Sequence, residues 1–249
     1  MNAVVKTKQG LVEGLRSEDG KAVLFQGIPY AQPPVGELRF RRPQEHAPWE
    51  GILPCQEFPN RCPQADPTKM GFYAKEFYDS FVPECGEDCL RLNLWVPADS
   101  TPESGLPVLF WIHGGAFLHG WGSEKEFDGE GFAKKGVILC TINYRVNVFG
   151  FFAHPELERE TEEHVSGNYG ILDQIFALKW IRENIAAFGG DPEKITIAGQ
   201  SAEEKAQEEP IVMTIGGLHE RAVHHFLPPF QRHAARRYSA KRRRAQGGI

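Results

Sequence analysis

The chain has 249 residues, of which 41% are hydrophobic and 24% charged, with a net charge of −5. This is a soluble globular composition, and it excludes a helical membrane protein, because no run approaches the ~18 apolar residues of a span. The opening MNAVVKTKQG has no apolar signal-peptide core, so a cytoplasmic location is expected. Five cysteines make no disulfide framework at this size. Cys62 and Cys89 would pair in an oxidising compartment and stay as thiols in a reducing one. Charge divides unevenly: residues 203–249 hold nine Lys/Arg against five Asp/Glu, and residues 1–202 nineteen against twenty-eight. The sign changes just after Ser201.

AVVKTKQGLVEGL and AVLFQGIPYA read as short strands around a SEDGK turn. AQPPVGELRFRRP, rich in Pro and Gly, reads as an extended surface loop. LRLNLWVP, PVLFWIHGG, GVILCTINYRV and KITIAGQS are further strand candidates. The middle two are nearly continuous apolar runs, as expected of strands buried on both faces of a mainly parallel sheet. Before the last of them, Ile171, Ile175, Leu178, Ile181 and Ile185 recur at helical spacing. Gly189 and Gly190 fit the end of that helix, and Pro192 stops it. Strand, helix and strand in this order predict an α/β sheet. After Ala202 no sustained period is found beyond a brief IVMTI, so residues 203–249 are expected to be a disordered tail.

Two stretches carry chemistry. WIHGGAF, residues 111–117, places consecutive glycines after a buried strand, where backbone N–H groups can face a developing oxyanion. Gly199-Gln200-Ser201-Ala202 ends a strand as a nucleophile elbow does, with a small residue before the serine. The elbow motif then asks for glycine at position 203, where this chain has Glu203. The order of the two, glycine loop first and serine later, is that of an α/β-hydrolase.

With these motifs, FQGIPYAQPPVGELRFRRP, EDCLRLNLWVP and NYGILDQIFALKWIRENIAAFGGDPEKITIAGQSA resemble blocks of the type-B carboxylesterases, the family that includes the cholinesterases. The resemblance covers residues 1–202. It implies the N-terminal portion of an α/β-hydrolase sheet preceded by a small N-terminal β-sheet. It further implies Ser201 as the acylated nucleophile, oxyanion donors from the N–H groups of Gly115, Ala116 and Ala202, a first disulfide at Cys62 and Cys89, a small-molecule carboxylic ester as substrate, and no cofactor or metal. Ala116 stands where many members have a third glycine. The family's acidic residue and histidine lie downstream of the region matched, so the chain is expected to be inactive as written.

The tail offers His219, His224, His225 and His233 with several glutamates, but nothing positions them as a triad. HERAVH differs from H-E-x-x-H because its histidines, five apart, fall roughly 140° off one helix face. RRYSAKRRR reads as a solvated basic tail, and the acidic body argues against nucleic acid. His113 and His119 flank the glycine loop in local structural roles. A single lost base would account for the join: a parent GCG GGA GGA AAR, Ala-Gly-Gly-Lys, would become GCG GAG GAA AR, Ala-Glu-Glu. That would break the elbow, flip the charge and end the periodicity together. The alternative function is a catalytically dead esterase-like interaction module. With the later strands lost, KITIAGQ is expected to form a sheet edge.

Overall fold

The computed structural model describes residues 3–67, 71, 78, 81–162, 164–200 and 211–215. Strands β1 (Ala3–Lys6), β2 (Leu11–Arg16), β3 (Ala22–Pro29), β4 (Ile52–Pro54), β5 (Arg91–Pro97), β6 (Leu106–Ile112), β7 (Ile138–Ile142), β8 (Gly190–Gly199) and β9 (Ile211–Ile215) form one sheet. Its order is β1-β2-β3-β5-β7-β6-β8-β9, with β4 beside β2. Each step along that path from β1 to β7 is antiparallel, while β4 pairs parallel with β2. From β7 onward, β7, β6 and β8 are parallel. The sheet is therefore mixed, and along that path the expected parallel character belongs only to the half that carries the candidate chemistry.

Buried aliphatic and aromatic residues explain the strands. Leu92, Leu94, Ile138, Ile142, Ile195, Val108 and Phe110 are buried, each contributing roughly 1.5–3 kcal/mol of apolar transfer. All five residues of β7 are buried, as the apolar run predicts. β6 departs from the expectation. Pro107 is exposed, and Leu109 and Trp111 are only partly covered, packing on the cluster of Ala22, Trp95, Ala133 and Leu139.

Helices α1 (Glu130–Ala133), α2 (Asn147–Phe151), α3 (Pro155–Arg159) and α4 (Tyr169–Asn184) fill the connections. α4 packs on β8 and α2. Its buried face differs from the isoleucine stripe. Ile171 and Ile181 are buried, but Ile175 is exposed, and the face runs through Asp173, Ala177, Trp180 and Asn184. The two polar members are satisfied there. Asp173 pairs with Arg145, and Asn184 Oδ1 accepts from the Lys8 N–H at 2.8 Å. A 3₁₀ turn over Ile185–Phe188 follows, and Gly189 at φ +89° ends it in the left-handed conformation, which suits glycine. Gly190 already belongs to β8.

β8 is not the sheet edge, because β9 takes the place beside it. β9 coincides with the brief IVMTI run. Of the expected tail, only this strand falls among the described residues; Ser201, Ala202, the tail histidines and the basic run lie outside them.

Candidate active site

Parallel strands deliver their following loops to one end of a sheet, and in open α/β sheets ligands bind there. β6 and β8 pair in register, with Ile112 opposite Gly199. The Gln200 N–H donates to the Ile112 carbonyl at 3.2 Å, carrying the pairing one residue past β8. A Cβ on Gly199 would lie 2.8 Å from the Ile112 oxygen, so only glycine fits this approach. The loop after β6 and the residue before Ser201 thus leave the sheet side by side.

That loop, residues 113–120, has an unusual backbone. Gly115 has φ +101°, and a Cβ there would strike the His119 carbonyl oxygen at 2.2 Å. Ala116 and Phe117 follow at φ +54° and +61°. Such non-glycine residues cost about 1–3 kcal/mol each and persist only where the surroundings hold them. Glycine at position 116 would adopt this φ without strain. The Gly115 carbonyl accepts from Leu118 N–H at 2.9 Å and His119 N–H at 3.2 Å. Among the described residues the N–H groups of Gly115 and Ala116 donate to nothing, and they lie on neighbouring residues of one turn.

Two segments hold the loop from outside. The Asn147 N–H donates to Phe117 O at 2.6 Å, and its side-chain Nδ2 donates to Pro63 O at 2.7 Å and Leu118 O at 3.4 Å. The Gln64 side chain meets Gly120 at two points: Nε2 donates to its carbonyl at 3.0 Å, and Oε1 accepts from its N–H at 2.9 Å. Neither residue has a sequence signal, because the contacts are long-range.

His113 is buried and stacks on Tyr144 at 4.3 Å, whose hydroxyl donates to His113 O at 2.9 Å. Its Nδ1 lies 2.9 Å from Gly114 O, and a carbonyl only accepts, so Nδ1 carries the proton. Burial lowers its pKa to about 4, so the ring is neutral near pH 7, and among the described residues its Nε2 has no hydrogen-bond partner. The local structural role expected for it fits this packing. Behind the loop, Glu124 is buried; Oε1 accepts from Trp121 N–H and Oε2 from Tyr78 Oη. Burial raises its pKa to about 8, so it is protonated at neutral pH.

Arg145 and Asp173 form a buried ion pair at 2.7 and 2.8 Å, and Asp173 Oδ2 also accepts the Arg145 N–H at 3.1 Å. The sequence reading missed this pair, since Asp173 is one of several charged residues of α4 and nothing local marks its partner. Cys62 and Cys89 stand as free thiols. They share a hydrogen bond, which with burial pushes the Cys89 thiol well above its ordinary pKa. Among the described residues no three His, Cys, Asp or Glu side chains group as a metal site, and no helix is long and apolar enough to cross a membrane. The surface depression lined by Arg16, Lys21, Asp99 and Lys134 sits near the start of β7, at the opposite end of the parallel strands.

The carboxylesterase family model matches residues 1–203. Fumonisin B1 esterase of Sphingopyxis macrogoltabida is 42% identical over 79% of this chain and 34% of its own length. Para-nitrobenzyl esterase of Bacillus subtilis (strain 168) is 44% identical over 80% of this chain and 38% of its own. The chain therefore spans little more than a third of the length of these curated relatives. A solved PNB esterase superposes with a TM-score of 0.70 at 40% identity, covering 81% of this chain and 39% of that one. A Geobacillus stearothermophilus carboxylesterase superposes with a TM-score of 0.67 at 44% identity, over 79% and 37%.

Proposed function

We propose that this chain, which belongs to the carboxylesterase family, carries the nucleophile and oxyanion donors of a carboxylic ester hydrolase but is itself inactive as residues 1–249. Ser201 attacks the ester carbonyl, and the N–H groups of Gly115, Ala116 and Ala202 stabilise the oxyanion of the tetrahedral intermediate. With a base present, that base takes the serine proton, delivers it to the departing alcohol and then activates the water that hydrolyses the acyl-enzyme; no such base is identified in this sequence, so the chain stops short of turnover. The substrate is a small carboxylic ester, the class acted on by the relatives named para-nitrobenzyl and fumonisin B1 esterase.

The observation that carries the reading is the in-register pairing of Ile112 with Gly199, extended by the Gln200 hydrogen bond. It brings a turn with two undonated N–H groups beside the residue preceding Ser201. The proposed inactivity rests on the base, for which the sequence offers no identified candidate. A serine hydroxyl needs a histidine oriented by a carboxylate. His113, packed on Tyr144 with its pKa lowered to about 4, is a weak base. Residues 1–202 are the esterase domain, and residues 203–249 lie outside the family pattern; the family match ending at residue 203 supports this boundary.

A fluorophosphonate probe tests the nucleophile. The reading expects slow labelling of the 249-residue protein, abolished by Ser201→Ala. Labelling that survives Ser201→Ala contradicts it.

A further inference from the structure

We propose that Gln64 is the positioning residue of the oxyanion loop, setting the N–H groups of Gly115 and Ala116 through a two-point hydrogen bond to Gly120. The proposal rests on the acyl-transfer reading above for its purpose, and on the geometry of the loop for its mechanism.

The Gln64 carboxamide behaves as a strand neighbour would. Its Oε1 accepts from Gly120 N–H at 2.9 Å and its Nε2 donates to Gly120 O at 3.0 Å. The second Nε2 hydrogen goes to Cys62 O at 3.0 Å, which fixes the amide plane against its own segment. Both donors are thereby used, and the amide has one orientation that satisfies them. Gly120 transmits the constraint. Its φ is +108°, and a Cβ there would meet His113 Nδ1 at 2.4 Å and Gly114 O at 2.7 Å. Gly120 is thus wedged against the first residues of the loop. One residue earlier, the His119 carbonyl crowds Gly115 so closely that only glycine fits, and His119 N–H donates to Gly115 O. Holding Gly120 therefore holds His119 over Gly115. Asn147 fixes the middle of the loop at Phe117 and also reaches Pro63 O, so the residues on either side of the Pro63–Gln64 bond brace the turn at both places.

This arrangement explains why Ala116 and Phe117 keep left-handed backbones without glycine. Such conformations persist where the surroundings over-determine them, and Gln64 and Asn147 supply that constraint from outside the loop.

Amide hydrogen exchange on the full 249-residue protein tests the proposal, comparing wild type with Gln64→Leu and Gln64→Glu. Amides of residues 118–122 report the loop; those of 138–142, in β7, report the fold. At pH ~7 both variants should exchange at 118–122 about 10-fold faster, as expected for loss of two or three hydrogen bonds, with 138–142 unchanged. At pH ~3.5, below the usual glutamate pKa of ~4.3, the protonated carboxyl of Gln64→Glu again offers one donor and one acceptor. Its exchange should return to within about 2-fold of wild type at that pH, while Gln64→Leu stays fast; a role in general packing would give no such recovery. Equal exchange in wild type and Gln64→Leu, equal acceleration of 138–142, or no recovery at low pH would overturn it. Fluorophosphonate labelling of the same proteins separates the two readings. Absent labelling in all three counts against the acyl-transfer reading, whereas the exchange pattern alone decides the role of Gln64.

Discussion

At the scale of single residues, the loop depends on groups of two kinds. The turn at Gly114-Gly115 was legible in the sequence because a Gly-Gly pair after a buried strand is a local signal, whereas the roles of Gly115 and Ala116 came only from the family resemblance. Gln64 and Asn147 were not, because they act across the fold. Gln64 is separated from Gly120 by 56 positions and Asn147 from Pro63 by 84, and no spacing rule encodes such contacts. Glu124 was invisible for a related reason: its burial is set by Trp121 and Tyr78. Its pKa, raised by burial from 4.5 to about 8, has a definite consequence. The folded state holds this proton more tightly than the unfolded chain. The group therefore costs nothing below pH ~4.5, and stability falls as pH rises from there through about 8. His113, lowered to about 4, has the opposite slope, losing stability as pH falls from 6.5 toward 4, and is silent above 7. Urea midpoints between pH 7 and 8 thus isolate Glu124. Wild type should weaken over that interval, and Glu124→Gln should remove most of the slope. An unchanged slope in the variant would contradict the assignment.

Among the elements, β5, β7 and β8 follow from apolar runs, and the order of strand, helix and strand gives the parallel half of the sheet. The helix is more instructive. Periodicity located α4, yet it chose Ile175 for the buried face, where the structure buries Asp173, Ala177 and Asn184 instead. The stripe counted only apolar residues. It could not register that Arg145 and the Lys8 N–H on neighbouring segments make polar residues cheap to bury. Substitutions on the two faces separate these assignments. Ile175→Gln should cost no more than about 0.5 kcal/mol, as at ordinary surface positions. Ala177→Leu should overpack the buried face of α4 and cost about 1–3 kcal/mol. Asp173→Ala should cost more, about 3–5 kcal/mol, because it strands the buried guanidinium of Arg145. Urea denaturation ranks the three, and a reversed order of Ile175 and Ala177 would restore the isoleucine stripe. β9 also lay beyond reach. IVMTI is too short a run to distinguish a paired strand from a chance apolar cluster, so β8 was expected at the edge.

For the whole molecule, the proposed division is an esterase-family body over residues 1–202 followed by a tail outside the family pattern. If a lost base made that join, the coding DNA around codon 203, read in another frame, continues as esterase sequence beginning Gly-Gly. A continuation without family resemblance contradicts the frameshift. Glu203→Gly alone should not restore turnover, because relieving the elbow adds no base. The proposed function is that of a nucleophile and oxyanion donors held by residues 1–249 without a working triad. Its most direct test is steady-state hydrolysis of a p-nitrophenyl ester by the purified 249-residue protein, beside Ser201→Ala. On that proposal at most a residual ~10³–10⁴-fold advantage over water remains, so turnover should lie far below the enzyme median of ~10 s⁻¹. Turnover near that median in the wild-type chain, abolished by Ser201→Ala, would contradict the account.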